Sequence, residues 1–160
     1  MLDFANVIVG AAERSSRPLA LCGWSMGGLV AMMAAGNIRP DRLVLMEPSP
    51  PGEVAGFDEG VVPAAGLFDG GQTYGAFPAG IASRLESSLA RGERKRGVSI
   101  PQLPCSTLVV SSAEFEVERG VGIASHYGCE HLHFGDLDHW GLVLDVRVPR
   151  AILQWLRKKD

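Results

Sequence analysis

A three-layer α/β/α fold built on a parallel sheet is the class this sequence predicts, on three observations. Short apolar runs without alternation, such as Leu19-Ala20-Leu21-Cys22 and Leu43-Val44-Leu45-Met46, mark strands buried on both faces. Segments of helical period separate those runs, the pattern of strand–helix–strand units. The 20 glycines and 10 prolines gather at the joints and in one mid-chain stretch, as a fold with many tight loops requires. With 160 residues there is room for one compact domain, 1–160.

Apolar residues at 4, 7, 8, 11 and 12 predict a first helix, ended by Ser15-Ser16-Arg17-Pro18. After the strand at 19–22, a second helix runs from Met26 to Ala35 and stops at Gly36-Asn37. Leu43-Val44-Leu45-Met46 is the second buried strand and Thr107-Leu108-Val109-Val110 the third. His131-Leu132-His133-Phe134, with a partly polar alternation, is the fourth. The closing helix has Ile152, Leu153, Trp155 and Leu156 on its apolar side, and Lys158 and Lys159 suit the negative end of its dipole. Residues 48–100 break the pattern. Pro48-Ser49-Pro50-Pro51-Gly52 and the stretch from Gly66 to Gly80 hold no period, and Arg84 to Arg96 predicts one polar helix. Too few apolar residues lie there for a separate core, so 48–100 reads as a lid inserted over a site.

Fifteen basic and 18 acidic residues give a net charge of −3, which disfavours a nucleic-acid partner. The local cluster Arg91-Gly92-Glu93-Arg94-Lys95-Arg96 reads as a solvated helix face. No apolar run approaches the roughly 20 residues that span a bilayer, so no membrane insertion is expected. Met1-Leu2-Asp3-Phe4 has no basic segment ahead of an apolar core, so no secretory signal is expected either. Cys22, Cys105 and Cys129 are an odd set without C-x-x-C spacing, in or near apolar runs. They predict buried free thiols in a reducing, cytoplasmic compartment.

Gly23-Trp24-Ser25-Met26-Gly27-Gly28 joins the strand at 19–22 to the second helix. It is G-x-S-x-G in the context that gives the pattern meaning: strand, sharp turn, helix. The turn lifts the Ser25 hydroxyl above the sheet, and glycines on both sides remove Cβ atoms that would clash across it. Gly28, Ala31, Ala34 and Ala35 allow close helix–sheet packing. The Met26 N–H, at the positive end of that helix, faces the position of an oxyanion. A serine needs a base, and of His126, His131, His133 and His139 the last stands in the loop after the fourth strand, in Asp138-His139-Trp140-Gly141. Loops at the carboxyl ends of parallel strands are where such sheets place their sites.

His131 and His133 share a strand face and invite a metal reading. The H-x-H-x-D-H pattern fails, however, because Gly135 and Asp136 follow Phe134. No metal and no cofactor is expected.

With G-W-S-M-G-G as nucleophile elbow and D-H-W-G as histidine loop, the chain resembles the α/β-hydrolases over about residues 4 to 156. The resemblance implies Ser25 as nucleophile, His139 as general base and acid, and the Met26 N–H as one oxyanion donor. Most of the family carries an aspartate after the strand matching 107–110, whereas here Ser111-Ser112-Ala113-Glu114-Phe115-Glu116 has Phe115 at the expected place. Glu114 could serve through a shifted loop. Some relatives, haloalkane dehalogenases among them, carry the acid after the preceding strand, where this chain has Glu47. A glutamate ending a buried apolar strand is costly unless paired, so Glu47 is preferred and Glu114 stays open. Glu116 reads as solvated.

Only 24 residues precede Ser25, room for one helix but not for the strands that precede the elbow in this family. The resemblance therefore implies the C-terminal portion of the fold, with the edge of strand 19–22 open to another chain. Three alternatives stand: a longer protein, a sheet completed by a second copy in a homodimer, or a non-catalytic remnant. Serine rather than aspartate or cysteine at the elbow implies acyl transfer to water, with a small carboxylic ester or thioester as substrate. Trp24 and Trp140, with Phe68, Tyr74 and Phe77 of the lid, are the expected substrate-binding residues.

Overall fold

The computed structural model describes residues 1–75, 77–83 and 85–158. Helix α1 (Leu2–Ala12) leads to strand β1 (Ala20–Trp24), helix α2 (Met26–Ile38) and strand β2 (Arg42–Met46). The mid-chain stretch contributes α3 (Gly52–Ala55), β3 (Leu67–Asp69), α4 (Gly70–Tyr74), β4 (Leu85–Ser87) and α5 (Ser88–Arg96). Then follow β5 (Thr107–Ser112), a π-helical turn (Glu116–Val121), α6 (Gly122–Tyr127), β6 (Glu130–Phe134), α7 (Gly141–Leu144) and α8 (Arg147–Leu156).

The four long strands form one parallel sheet in the order β1-β2-β5-β6, and β3 pairs antiparallel with β4 apart from it. Alternation along the central strands divides the core in two. Leu43, Leu45 and Val109 meet Leu29, Met32 and Ile123 of α2 and α6 on one face. Val44, Leu108 and Val110 meet Leu142, Val148, Ile152 and Trp155 of α7 and α8 on the other. The result is the predicted class, a parallel sheet between helical layers. Because all four strands run the same way, residues 25, 47, 113 and 135 all leave the sheet along the rim formed by the carboxyl ends of its strands.

Several local expectations are corrected. β1 is an edge strand whose Ala20 and Cys22 are exposed, not a strand buried on both faces. An apolar run does not disclose whether a strand has neighbours on two sides. For the same reason Cys22 is not a buried thiol, and Cys105 and Cys129 are only half-buried. On α1, which is apolar nearly all round, contact with the rest of the fold selects Ala5 for burial, with Met1 just ahead of the helix, and leaves Leu2, Phe4 and Val7 exposed. Helix α2 passes through Gly36-Asn37 and ends where Arg39, at φ 49°, donates its N–H to the Ala35 carbonyl. Pro40 then disfavours another turn. On α8 the buried row is Val148, Ile152 and Trp155, and Leu153 is exposed. Helix α5 begins only at Ser88, where the Ser87 hydroxyl accepts the Ala90 N–H at 3.2 Å. Residues 85–87 are taken up by the β4 pairing. Arg84 and Lys159 lie outside the described residues. Among the described residues no helix is long and apolar enough to cross a membrane.

The elbow is built on close backbone approach. A Cβ on Gly23 would lie 2.5 Å from the Gly27 carbonyl oxygen and 2.9 Å from Ala31 Cβ, and one on Gly28 would lie 2.6 Å from Pro48 Cβ. Gly27, by contrast, has open space, so the expectation that both motif glycines prevent a clash holds at Gly23 alone. Gly23→Ala is therefore expected to lower unfolding stability by about 1–3 kcal/mol through overpacking. Gly27→Ala should leave it unchanged or raise it by up to about 1 kcal/mol. Urea denaturation of the two variants beside the parent checks both, and equal loss in the two would remove the steric explanation.

Candidate active site

Ser25 leaves β1 at φ 54°, ψ −127°, a conformation an L-residue rarely adopts, and its surroundings hold it there. Its N–H donates to the Met46 carbonyl at 3.0 Å, and its own carbonyl accepts the N–H groups of Gly28 and Ser49 at 3.0 and 2.8 Å. The elbow is thus pinned to β2, to the segment after β2 and to the first turn of α2. Met26 opens α2, so its amide is one of the first-turn donors that have no acceptor within the helix.

Glu47 leaves β2 at φ 40°, the same left-handed departure one strand over, and its side chain is completely buried. A carboxylate there needs donors, and it has three. The Ser112 N–H donates to Oε1 at 2.6 Å and the Ser112 hydroxyl donates to the same oxygen. Oε2 lies 2.5 Å from His139 Nδ1. Burial pushes the Glu47 carboxyl up, but the bonds from His139 and Ser112 outweigh it and hold the group below its ordinary value.

His139 sits in the loop between β6 and α7, its side chain largely buried. Its ring stacks on the Trp24 indole, with centroids 4.6 Å apart and planes at 28°. It also packs perpendicular to the Phe115 ring, centroids 5.3 Å apart, and the Arg119 guanidinium lies over the Phe115 ring, 3.9 Å from its centroid. Trp24 Nε1 donates to the His139 carbonyl at 3.1 Å. Nδ1 being engaged by Glu47, Nε2 is the nitrogen left for further chemistry. No hydrogen bond joins the Ser25 hydroxyl to His139 among the described residues.

The two candidate acids therefore occupy different places. Glu47 reaches the His139 ring, whereas the exposed Glu114 accepts the His139 backbone N–H at 3.1 Å. Trp140 lies 4.9 Å from Trp24 and 5.2 Å from Phe77, bringing one aromatic of the 48–100 segment to the site. Phe68 and Tyr74 instead pack on each other and under Arg91. His131 and His133 both meet the buried Ser111 hydroxyl, at 2.8 and 3.1 Å, and burial followed by the proximity of His133 pushes the His131 pKa down. Among the described residues no three His, Cys, Asp or Glu side chains are grouped to hold a metal ion.

Sequence reasoning missed Ser112 and the packing role of Phe115. The signal for Ser112 was a serine at the end of an apolar strand, one residue beyond the position opposite a buried glutamate, visible only once β2 is paired with β5. Phe115 was noticed as the residue standing where an aspartate was expected, but not as packing for the histidine.

The lowered Glu47 carboxyl makes this site a source of pH-dependent stability. A group whose folded pKa is depressed contributes fully above its unfolded value and loses that contribution as pH falls through the folded value. Urea unfolding from about pH 7 to about pH 3 should show an acid-side loss of stability that is smaller in Glu47→Gln. That variant should already be about 2 kcal/mol less stable at neutral pH. Equal acid-side losses in the two proteins would assign the effect to other carboxylates.

No family model matches the chain, and no curated protein matches it significantly. A solved structure of similar fold comes from work on LipS and LipT, two metagenome-derived lipolytic enzymes. The match has a TM-score of 0.57 and 17% identity, and it covers 98% of this chain and 74% of that one. At that identity the likeness is one of fold: a mixed α/β architecture with a mostly parallel sheet.

Proposed function

We propose that this protein is a serine hydrolase that cleaves a carboxylic ester or thioester through an acyl-enzyme. The observation that carries the reading is the buried Glu47–His139 pair at the same sheet edge as a serine held at φ 54°. An imidazole whose Nδ1 is tied to a carboxylate presents Nε2 as a base, and its charged form has a partner waiting. The fold shared with a lipolytic enzyme supports an ester as the class of substrate.

Ser25 Oγ attacks the acyl carbon while His139 Nε2 takes the hydroxyl proton. Glu47 holds Nδ1–H and balances the imidazolium. The carbonyl electrons move to oxygen, which the Met26 N–H and the positive end of α2 stabilise. Collapse of the tetrahedral species breaks the bond to the alcohol or thiol, which leaves with the proton from His139. Water then attacks the acyl-Ser25 carbonyl with His139 again as base, and the acid departs as Ser25 recovers its proton. Trp140 and Phe77 offer an apolar wall for the acyl group, and the 48–100 segment acts as the lid that carries Phe77.

The test is intact-mass analysis after exposure to a fluorophosphonate, with Ser25→Ala beside the parent. One adduct on the parent and none on the variant is expected, together with loss of ester turnover by Ser25→Ala. An adduct on neither protein, with both folded, would replace this reading by a non-catalytic domain that retains the elbow.

A further inference from the structure

A loop is the element least able to hold a side chain at a fixed geometry, yet His139 is gripped on both sides of its own peptide. Its N–H donates to Glu114 Oε2 and its carbonyl accepts from Trp24 Nε1, each at 3.1 Å. The two grips come from different elements, the loop after β5 and the end of β1. Trp24 is also the residue directly before Ser25, and it pairs with Met46 in the sheet. One covalent step therefore separates the serine from the donor that holds the peptide of the histidine.

We propose that Trp24 and Glu114 are positioning residues that clamp the His139 peptide from opposite sides and so set the placement of its imidazole relative to Ser25. This inference rests on the serine-hydrolase reading above. The clamp is continuous with the cradle of the acid. Glu114 N–H donates to the Ser112 hydroxyl at 3.2 Å, and that hydroxyl donates to Glu47. Ring and peptide of His139 are thus oriented by one connected set of bonds rather than by separate supports. The stacked indole adds a second effect. Its face attracts an imidazolium more than a neutral ring, so the attraction strengthens as the proton arrives from Ser25. Trp24 has its N–H and one ring face committed to His139, which sets it apart from a residue whose task is to line the substrate pocket.

Trp24→Phe keeps an aromatic face and removes the donor, Glu114→Ala removes the acceptor, and Glu114→Gln restores one. The readouts are steady-state kinetics on a p-nitrophenyl ester and the NMR signal of the His139 Nδ1 proton, assigned by its loss in Glu47→Gln. The expectation is a fall in kcat of about 10- to 100-fold in Trp24→Phe and Glu114→Ala, with KM within about twofold, since misplacement of a catalytic group acts on the chemical step. Glu114→Gln should recover most of the rate, and the Nδ1 signal should broaden or move in the two impaired variants. A raised KM at constant kcat in Trp24→Phe, or an unmoved Nδ1 signal in both variants, would overturn the clamp. Should Trp24→Phe fail to fold, Glu114→Ala, altered at an exposed side chain, carries the same test. Failure of the hydrolase reading is distinct: the parent then shows neither turnover nor a fluorophosphonate adduct, and the Nδ1 signal still decides whether the clamp exists.

Discussion

A carboxylate with no access to water, Glu47, is the constraint around which the candidate site is arranged. Burial of a charge is tolerated only where donors replace the lost hydration. Here the replacement comes from one strand and one loop: the Ser112 amide and hydroxyl from β5, and the His139 ring from beyond β6. The two Ser112 donors are in place only if β2 pairs with β5 in the observed register, Met46 opposite Val110. A slip of one residue would turn Ser112 away and leave Oε1 without its donors. Register and site geometry are thereby the same fact, seen once from the sheet and once from the chemistry.

Backbone strain is concentrated at the same edge. Ser25 and Glu47 both leave their strands with positive φ, on adjacent strands, and each is held by bonds from elements already fixed by packing. Gly23 and Gly28 allow this by letting backbone approach backbone, and Pro48, the residue after Glu47, fills the space at Gly28. Serine and glutamate are thus displayed by one compact joint, while the histidine is brought to them from farther along the chain.

The architecture was legible because it depends on periodicity and punctuation, which are local. The runs at 19–22, 43–46, 107–110 and 131–134 each became a strand of the parallel sheet, and the 48–100 stretch stood out by its lack of period. What was not legible depended on neighbours. Cys22 looks interior in a list of residues and is exposed because β1 lies at an edge. Position at the end of a buried strand ranked Glu47 before Glu114, but which atom of His139 each one reaches depends on the folded chain. The bond from Trp24 to a loop more than a hundred residues away appears only in three dimensions.

Phe115 stands where the family resemblance led one to expect an aspartate, and that vacancy has an evolutionary consequence. The segment that follows β5 serves there as insulation: the Phe115 ring packs perpendicular to the imidazole, roofed by a guanidinium. Insulation tolerates substitution by shape and volume far better than a hydrogen-bonded acid tolerates change. Within the turn from Phe115 to Val121 that freedom belongs to outward positions such as Val117, whereas Gly120, where a Cβ would lie 2.7 Å from Ser111 Cβ, has none.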